Sequence, residues 1–212
     1  MRIFLIGAPG SGKGTQARLL SKRYHLIKIS IGEILRELIH NKTSPEKKIK
    51  NLINKGKLVS DKTIIRIVKN RISQKDCMSG FILDGFPRTI GQAKIISKNE
   101  ISVDYIFELK IPTKIIIERI LKRKKDSLTP KKTYSLKNEN LPHANNNFFF
   151  RKDDDEVIIK KRLQEYKKFT QPLKTYWNKN FKNKKIQFFE IDGTQTILNV
   201  YKDIKIILEK KT

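Results

Sequence analysis

Short apolar runs alternate along this chain with stretches whose apolar residues recur every three or four positions. RIFLIG at 2–7 is short, mostly apolar and ends at glycine, which reads as a buried strand. Positions 13–24 read as a helix and LIKIS at 26–30 as a second strand. Three helical stretches follow, at 31–39, 45–55 and 61–73, with Pro45 and Asp61 suited to first-turn positions. GFILDG at 80–85 is a strand, 90–98 a helix, YIFELK at 105–110 a strand and 112–125 a helix. IQFFEID at 186–192 is a strand, and 196–210 a closing helix. This β-α alternation predicts an α/β fold, a parallel sheet with helices on both faces.

Two stretches break the rhythm. Three helices stand between the second and third strands where one would suffice. From about 122 to 154 the helical period stops, and the chain carries Pro, Asn and short apolar pieces, read as a small irregular insertion. Helical spacing returns over 155–177, with a bend expected near Pro172.

Composition narrows the classes. The 212 residues suit one α/β domain with insertions. No run is apolar for the length a bilayer requires, and the opening residues read as an internal strand, so a cytoplasmic protein is expected. Cys77 is the sole cysteine, read as structural; it leaves no intrachain disulfide and no Cys-rich zinc site. Lys and Arg total 47 against 21 Asp and Glu, a net charge of +26. Such a charge raises nucleic acid as a partner. The lysines, however, are spread over nearly every helix without interleaved aromatic stacking platforms, so solvated faces are the preferred reading. A basic field attracts anionic nucleotides in either case.

GAPGSGKGT at 7–15 carries the first chemistry. Gly7, Gly12 and Lys13 fit the phosphate-loop pattern G-x-x-x-x-G-K-[ST], but Gly14 stands where a hydroxyl for Mg²⁺ is usual, and the hydroxyl arrives at Thr15. The strand–loop–helix context supports phosphate binding: glycines 7, 10, 12 and 14 let N–H groups turn inward, and the helix N-terminus faces the same place. Asp84 ends an apolar strand, where a carboxylate can hold Mg²⁺ directly or through water. Gly85 and Pro87 shape the next turn, and Arg88 follows, suited to forked recognition of phosphate. Arginine is scarce beside lysine, so Arg36, Arg88, Arg119, Arg123, Arg151 and Arg162 together suggest a phosphate cage.

In order and spacing, GAPGSGKGTQ, ISIGEILR, GKLVSD at 56–61, GFILDGFPRTIGQA and RKDDDEVIIKKRL resemble the adenylate kinase family, and the resemblance covers essentially the whole chain. It implies one P-loop kinase domain over 1–212. The core is 1–29, 60–121 and 155–212, a helical monophosphate-binding segment spans 30–59, and a lid spans 122–154. The implied reaction is Mg·ATP + AMP ⇌ 2 ADP, by a cytoplasmic monomer with no membrane partner.

The resemblance also implies roles. Gly10, Ser11, Gly12, Lys13, Gly14 and Thr15 would meet ATP phosphates. Arg119 would stack on the ATP adenine, Arg123 meet its phosphates, Thr133 and Tyr134 line the lid, and Gln195 offer its carbonyl to the base. Ile31, Arg36, Lys57, Leu58, Val59, Gly85, Phe86, Pro87, Arg88, Gln92, Arg151 and Arg162 would surround AMP, with Gln92 reading the adenine edge. Lys13, Arg88, Arg123, Arg151, Arg162 and Asp84 would form the transfer centre, Asp84 in the outer shell of Mg²⁺ through water.

Departures from the family pattern are Ile31 in place of a hydroxyl residue, a shortened lid lacking the usual N-P-P, and no four-cysteine zinc site. Two rival readings stay open at this point. One is a kinase for UMP or CMP, prompted by Ile31. The other is a degenerate kinase fold that binds RNA, prompted by the charge.

Overall fold

The computed structural model describes residues 1–40, 46–98, 100–128, 156–180 and 186–210. Five strands form one sheet: β1 (Arg2–Gly7), β2 (Ile27–Ser30), β3 (Phe81–Asp84), β4 (Tyr105–Lys110) and β5 (Gln187–Asp192). Their order is β2-β3-β1-β4-β5 and every pairing is parallel. Around it lie α1 (Lys13–Tyr24), α2 (Ile31–His40), α3 (Glu46–Asn54), α4 (Asp61–Ile72), α5 (Ile90–Ser97), α6 (Thr113–Leu128), α7 (Glu156–Glu165), α8 (Leu173–Asn180) and α9 (Ile197–Glu209). Among the described residues, no helix is long and apolar enough to cross a membrane.

The central strand explains the two-sided architecture. In β1 the residues Ile3, Phe4, Leu5 and Ile6 are all buried, and successive side chains point to opposite faces. Phe4 and Ile6 join a core with Leu83, Ile106 and the α4, α5 and α8 residues Ile64, Ala93 and Trp177. Ile3 and Leu5 join the opposite core with Ala17 and Leu20 of α1 and Val200 and Ile204 of α9. A third, smaller core brings Ala8 against Ile116 and Ile120 of α6 and Ile159 and Leu163 of α7. That core lies beyond the carboxyl end of β1, so it is the floor of the glycine loop.

Most element boundaries agree with the sequence reading. α6 runs on to Leu128, into the stretch whose pattern loses helical period. The break expected at Pro172 is wider than one residue: a π-helical turn at Tyr166–Thr170 precedes it, closed by Gln171 N donating to Tyr166 O at 2.9 Å. Pro172 lacks the N–H that an uninterrupted helix needs, and the widened turn absorbs the mismatch. Cys77 is buried beside α4, where Arg71 Nη1 donates to its sulfur at 3.0 Å and burial pushes the thiol pKa up. Pro45 and residues 129–154 of the expected lid lie outside the described residues.

The loop sits tightly on its floor. Gly10 has φ +78°, and a Cβ there would meet Ile120 Cδ1 and Cγ1 at 2.8 Å. Gly12 has φ +95°, but its Cβ would meet nothing within 4 Å. Gly10→Ala should therefore destabilise more than Gly12→Ala, by about 1–3 kcal/mol of overpacking beyond the shared backbone cost. Thermal or urea unfolding of both variants checks this, and equal losses would contradict the packing argument.

Candidate active site

The glycine loop is held from within. Ser11 N donates to Ala8 O at 3.1 Å, and Thr15 N and Gln16 N donate to Gly12 O at 3.0 and 3.1 Å, starting α1. The Lys13 ammonium folds back over the loop, donating to Gly7 O at 2.9 Å, Ala8 O at 2.7 Å and Ser11 Oγ at 3.1 Å. α1 has no acidic residue in its first turn, so the positive end of its dipole is left for an anion. Asp84 faces this loop: a Cβ on Gly14 would come within 3.3 Å of its Oδ2. Glycine at 14 thus brings the carboxylate of β3 close to the loop, at the sheet edge where parallel folds bind ligands.

The turn after β3 presents Arg88. Gly85 N donates to Leu5 O at 3.0 Å, and Gly85 has φ +80°. Phe86 is fully buried and the Phe86–Pro87 peptide is cis. Arg88 Nε donates to Gly85 O at 2.8 Å, and Arg88 O accepts from Thr170 Oγ1 at 2.8 Å. The Arg88 N–H donates to Gln92 Oε1 at 2.8 Å, while Gln92 Nε2 donates to Asp61 Oδ1 at 2.9 Å. Gln92 is buried by these bonds.

A second cluster joins α6 to the turn after β5. Arg119 donates to the carbonyls of Gly193, Thr194 and Gln195 at 2.9, 3.2 and 3.4 Å. Asp192 shapes that turn, its Oδ1 accepting from Thr194 N at 2.9 Å and Thr194 Oγ1 at 2.7 Å. Those two bonds hold its carboxyl below the usual range. The Gln195 side chain turns to α9, where Nε2 donates to Asp203 Oδ2 at 2.8 Å. Its backbone carbonyl stays with Arg119.

The segment after α3 docks on α7. A Cβ on Gly56 would meet Ile158 O at 3.0 Å and Arg162 Cγ at 3.2 Å. Leu58 N donates to Glu165 Oε2 at 3.3 Å. Lys57 is exposed, Leu58 half-buried and Val59 buried. Arg36 lies back over Gly32, where a Cβ would be 3.4 Å from Nη1. Ile31 is buried in the same apolar core as Val59 and Phe86. Arg123 belongs to α6, whereas Thr133, Tyr134 and Arg151 lie outside the described residues.

Four features escaped sequence reasoning. The sequence marks Asp61 as a first-turn residue ending GKLVSD but gives no sign that it bonds Thr89 and Gln92. Glu165 and Thr170 reach Leu58 and the Arg88 carbonyl across long sequence gaps. Glu108, buried in β4, accepts from Tyr166 Oη at 3.0 Å and pairs with Lys110 at 3.0 Å. Burial, with Glu108 adding, pushes the Tyr166 phenol up. A charged residue inside the apolar run YIFELK was the one local sign of this last contact.

The family model described as adenylate kinase matches residues 5–182. The adenylate kinase of Buchnera aphidicola subsp. Baizongia pistaciae (strain Bp) is 47% identical over 218 residues, covering 100% of both chains. That of Buchnera aphidicola subsp. Schizaphis graminum (strain Sg) is 43% identical, covering 99% of this chain and 100% of the relative. That of Photorhabdus laumondii subsp. laumondii is 41% identical with the same coverage. Full-length similarity at this level, joined to a phosphate loop facing Asp84 and an arginine presented after β3, establishes the descent: this chain belongs to the adenylate kinase family.

Proposed function

We propose that this chain transfers the terminal phosphoryl group of ATP to AMP, giving two ADP. The observation that carries the reading is the glycine loop with Lys13 folded over it and Asp84 beside Gly14. Neither the UMP/CMP reading nor the RNA-binding reading is favoured over a family match of this extent.

Phosphoryl transfer needs positioning and charge neutralisation more than covalent chemistry. The N–H groups of Gly10 to Thr15 receive the ATP phosphates, and Lys13 exchanges its carbonyl partners for phosphate oxygens. Arg119, already oriented by three carbonyls, offers its planar face to the ATP adenine, and the Gln195 carbonyl takes the amino group of that base. Arg123, Thr133 and Tyr134 complete the ATP side. Arg36, Arg88, Arg151 and Arg162 neutralise AMP and the group in flight. Gln92 reads the acceptor base, with Ile31, Lys57, Leu58 and Val59 around it and Gly85, Phe86 and Pro87 shaping the wall. The AMP phosphate is already anionic and attacks without a general base.

Mg²⁺ bound with ATP would neutralise charge on the β- and γ-phosphates. The residues fit such an ion. Among the described residues no cluster of three metal-ligating side chains exists, so phosphate and water would supply most of its ligands. Asp84, a single carboxylate against Gly14, suits the outer shell. A cytoplasmic monomer follows from the same reading.

Lys13→Ala should keep the fold and lower kcat by on the order of 10³-fold, roughly 4 kcal/mol. Steady-state kinetics with a loss below about tenfold would remove Lys13 from the transfer centre. Arg88→Lys should be nearly as damaging as Arg88→Ala, because lysine keeps charge but not the fork. Near-normal kcat/KM for AMP in the lysine variant would contradict two-point recognition by Arg88.

A further inference from the structure

Asp61 opens α4, and its carboxylate reaches the start of α5. Its Oδ1 accepts from Thr89 Oγ1 at 2.8 Å and from Gln92 Nε2 at 2.9 Å, and its Oδ2 accepts from the same hydroxyl at 2.9 Å. Gly91 leaves room for it, since a Cβ at that position would fall on Asp61 Oδ2. At the other end of the same amide, Gln92 Oε1 accepts from Arg88 N at 2.8 Å. Gln92 is 2% exposed, so solvent does little to replace a lost partner.

A primary amide has two ends of nearly equal shape, and its neighbours decide which end is oxygen. An ionised carboxylate only accepts, and a backbone N–H only donates. Turning the Gln92 amide over would set oxygen against the Asp61 carboxylate and NH₂ against the Arg88 N–H. Two buried polar pairs would be lost together. Asp61 and Arg88 therefore fix the orientation from both ends.

One N–H of Nε2 and one lone pair of Oε1 remain after these bonds. A donor and an acceptor in this order match a purine that offers an amino group and a bare ring nitrogen, as adenine does. The reversed amide would match a 6-oxo purine, whose oxygen accepts and whose N1–H donates. We propose that Asp61 is a positioning residue for acceptor choice: by fixing the Gln92 amide, it makes the site read 6-amino purines and reject 6-oxo purines. The inference rests on the proposed role of Gln92 as the reader of the acceptor base.

AMP and IMP are the suitable pair, because they differ only at that edge. The test measures kcat/KM for both, with ATP as donor, in the natural protein and in Asp61→Asn and Thr89→Ala. Asparagine presents either a carbonyl or an NH₂, so the Gln92 amide turns at less cost. The natural protein should favour AMP. Asp61→Asn should narrow the AMP-to-IMP ratio by about tenfold or more, through KM for the acceptor and not KM for ATP. Asp61→Ser, shorter and able to donate, gives a second measurement with the same expected narrowing. Thr89→Ala removes the other Asp61 partner and the α5 cap, so it should lower Tm and leave the ratio in place. A natural protein indifferent between AMP and IMP would sink the role of Gln92 and this inference with it. A natural preference for AMP that both Asp61 variants keep within about twofold would overturn the role of Asp61 alone. So would a Thr89→Ala variant that narrowed the ratio equally.

Discussion

The site depends on Gly10 of the glycine loop, which carries no side chain, being pressed onto Ile116 and Ile120. Only glycine at 10 permits that approach, and the approach sets where the amides of the loop and the N-terminus of α1 stand. The same small core anchors the neighbours. Ile116 and Ile120 hold α6, which carries Arg119, and Ile159 and Leu163 hold α7, which carries Arg162. An apolar contact of a few side chains thus couples the glycine loop to the helices that bear Arg119 and Arg162. Close packing makes this coupling stiff, because a core at crystal-like density has no slack to let one helix drift alone.

The cations of the site share a mode of support. Lys13 donates to Gly7 and Ala8 carbonyls, Arg88 to the Gly85 carbonyl, and Arg119 to three carbonyls after β5. A carbonyl dipole orients a cation without cancelling its charge, so its field stays available to an anion. Surface lysines follow a different pattern, with Lys69 on Glu100 and Lys174 on Glu190, both partly exposed. Exposed pairs of this kind are screened by solvent and contribute little to stability. The net charge of +26 therefore bears on attraction of anions far more than on the fold.

What the sequence made legible was local. An apolar run bounded by Arg2 and Gly7 locates β1, and the glycine spacing after it locates the loop, because both follow from backbone sterics and periodicity. The pattern starts helices at 90 and 196, within one residue of where they begin, and Thr89 and Thr196 cap them. Contacts across long gaps were not legible. Asp61 with Gln92, Glu165 with Leu58 and Tyr166 with Glu108 join residues separated by 31, 107 and 58 positions. Periodicity says which face of an element is buried, but not which polar group waits there. Pro172 marked a break in the α7–α8 run, yet the width of that break came from the π-helical turn before it.

On the proposed function, the loop amides, Lys13 and the arginines hold two nucleotides for direct transfer and keep water from the reacting phosphate. Quantifying all products by phosphorus NMR tests it most directly. With ATP, AMP and Mg²⁺, each ATP consumed should yield two ADP, and inorganic phosphate should stay at background. ATP with Mg²⁺ alone should be stable. Release of inorganic phosphate matching the loss of ATP, with or without AMP, would contradict the account.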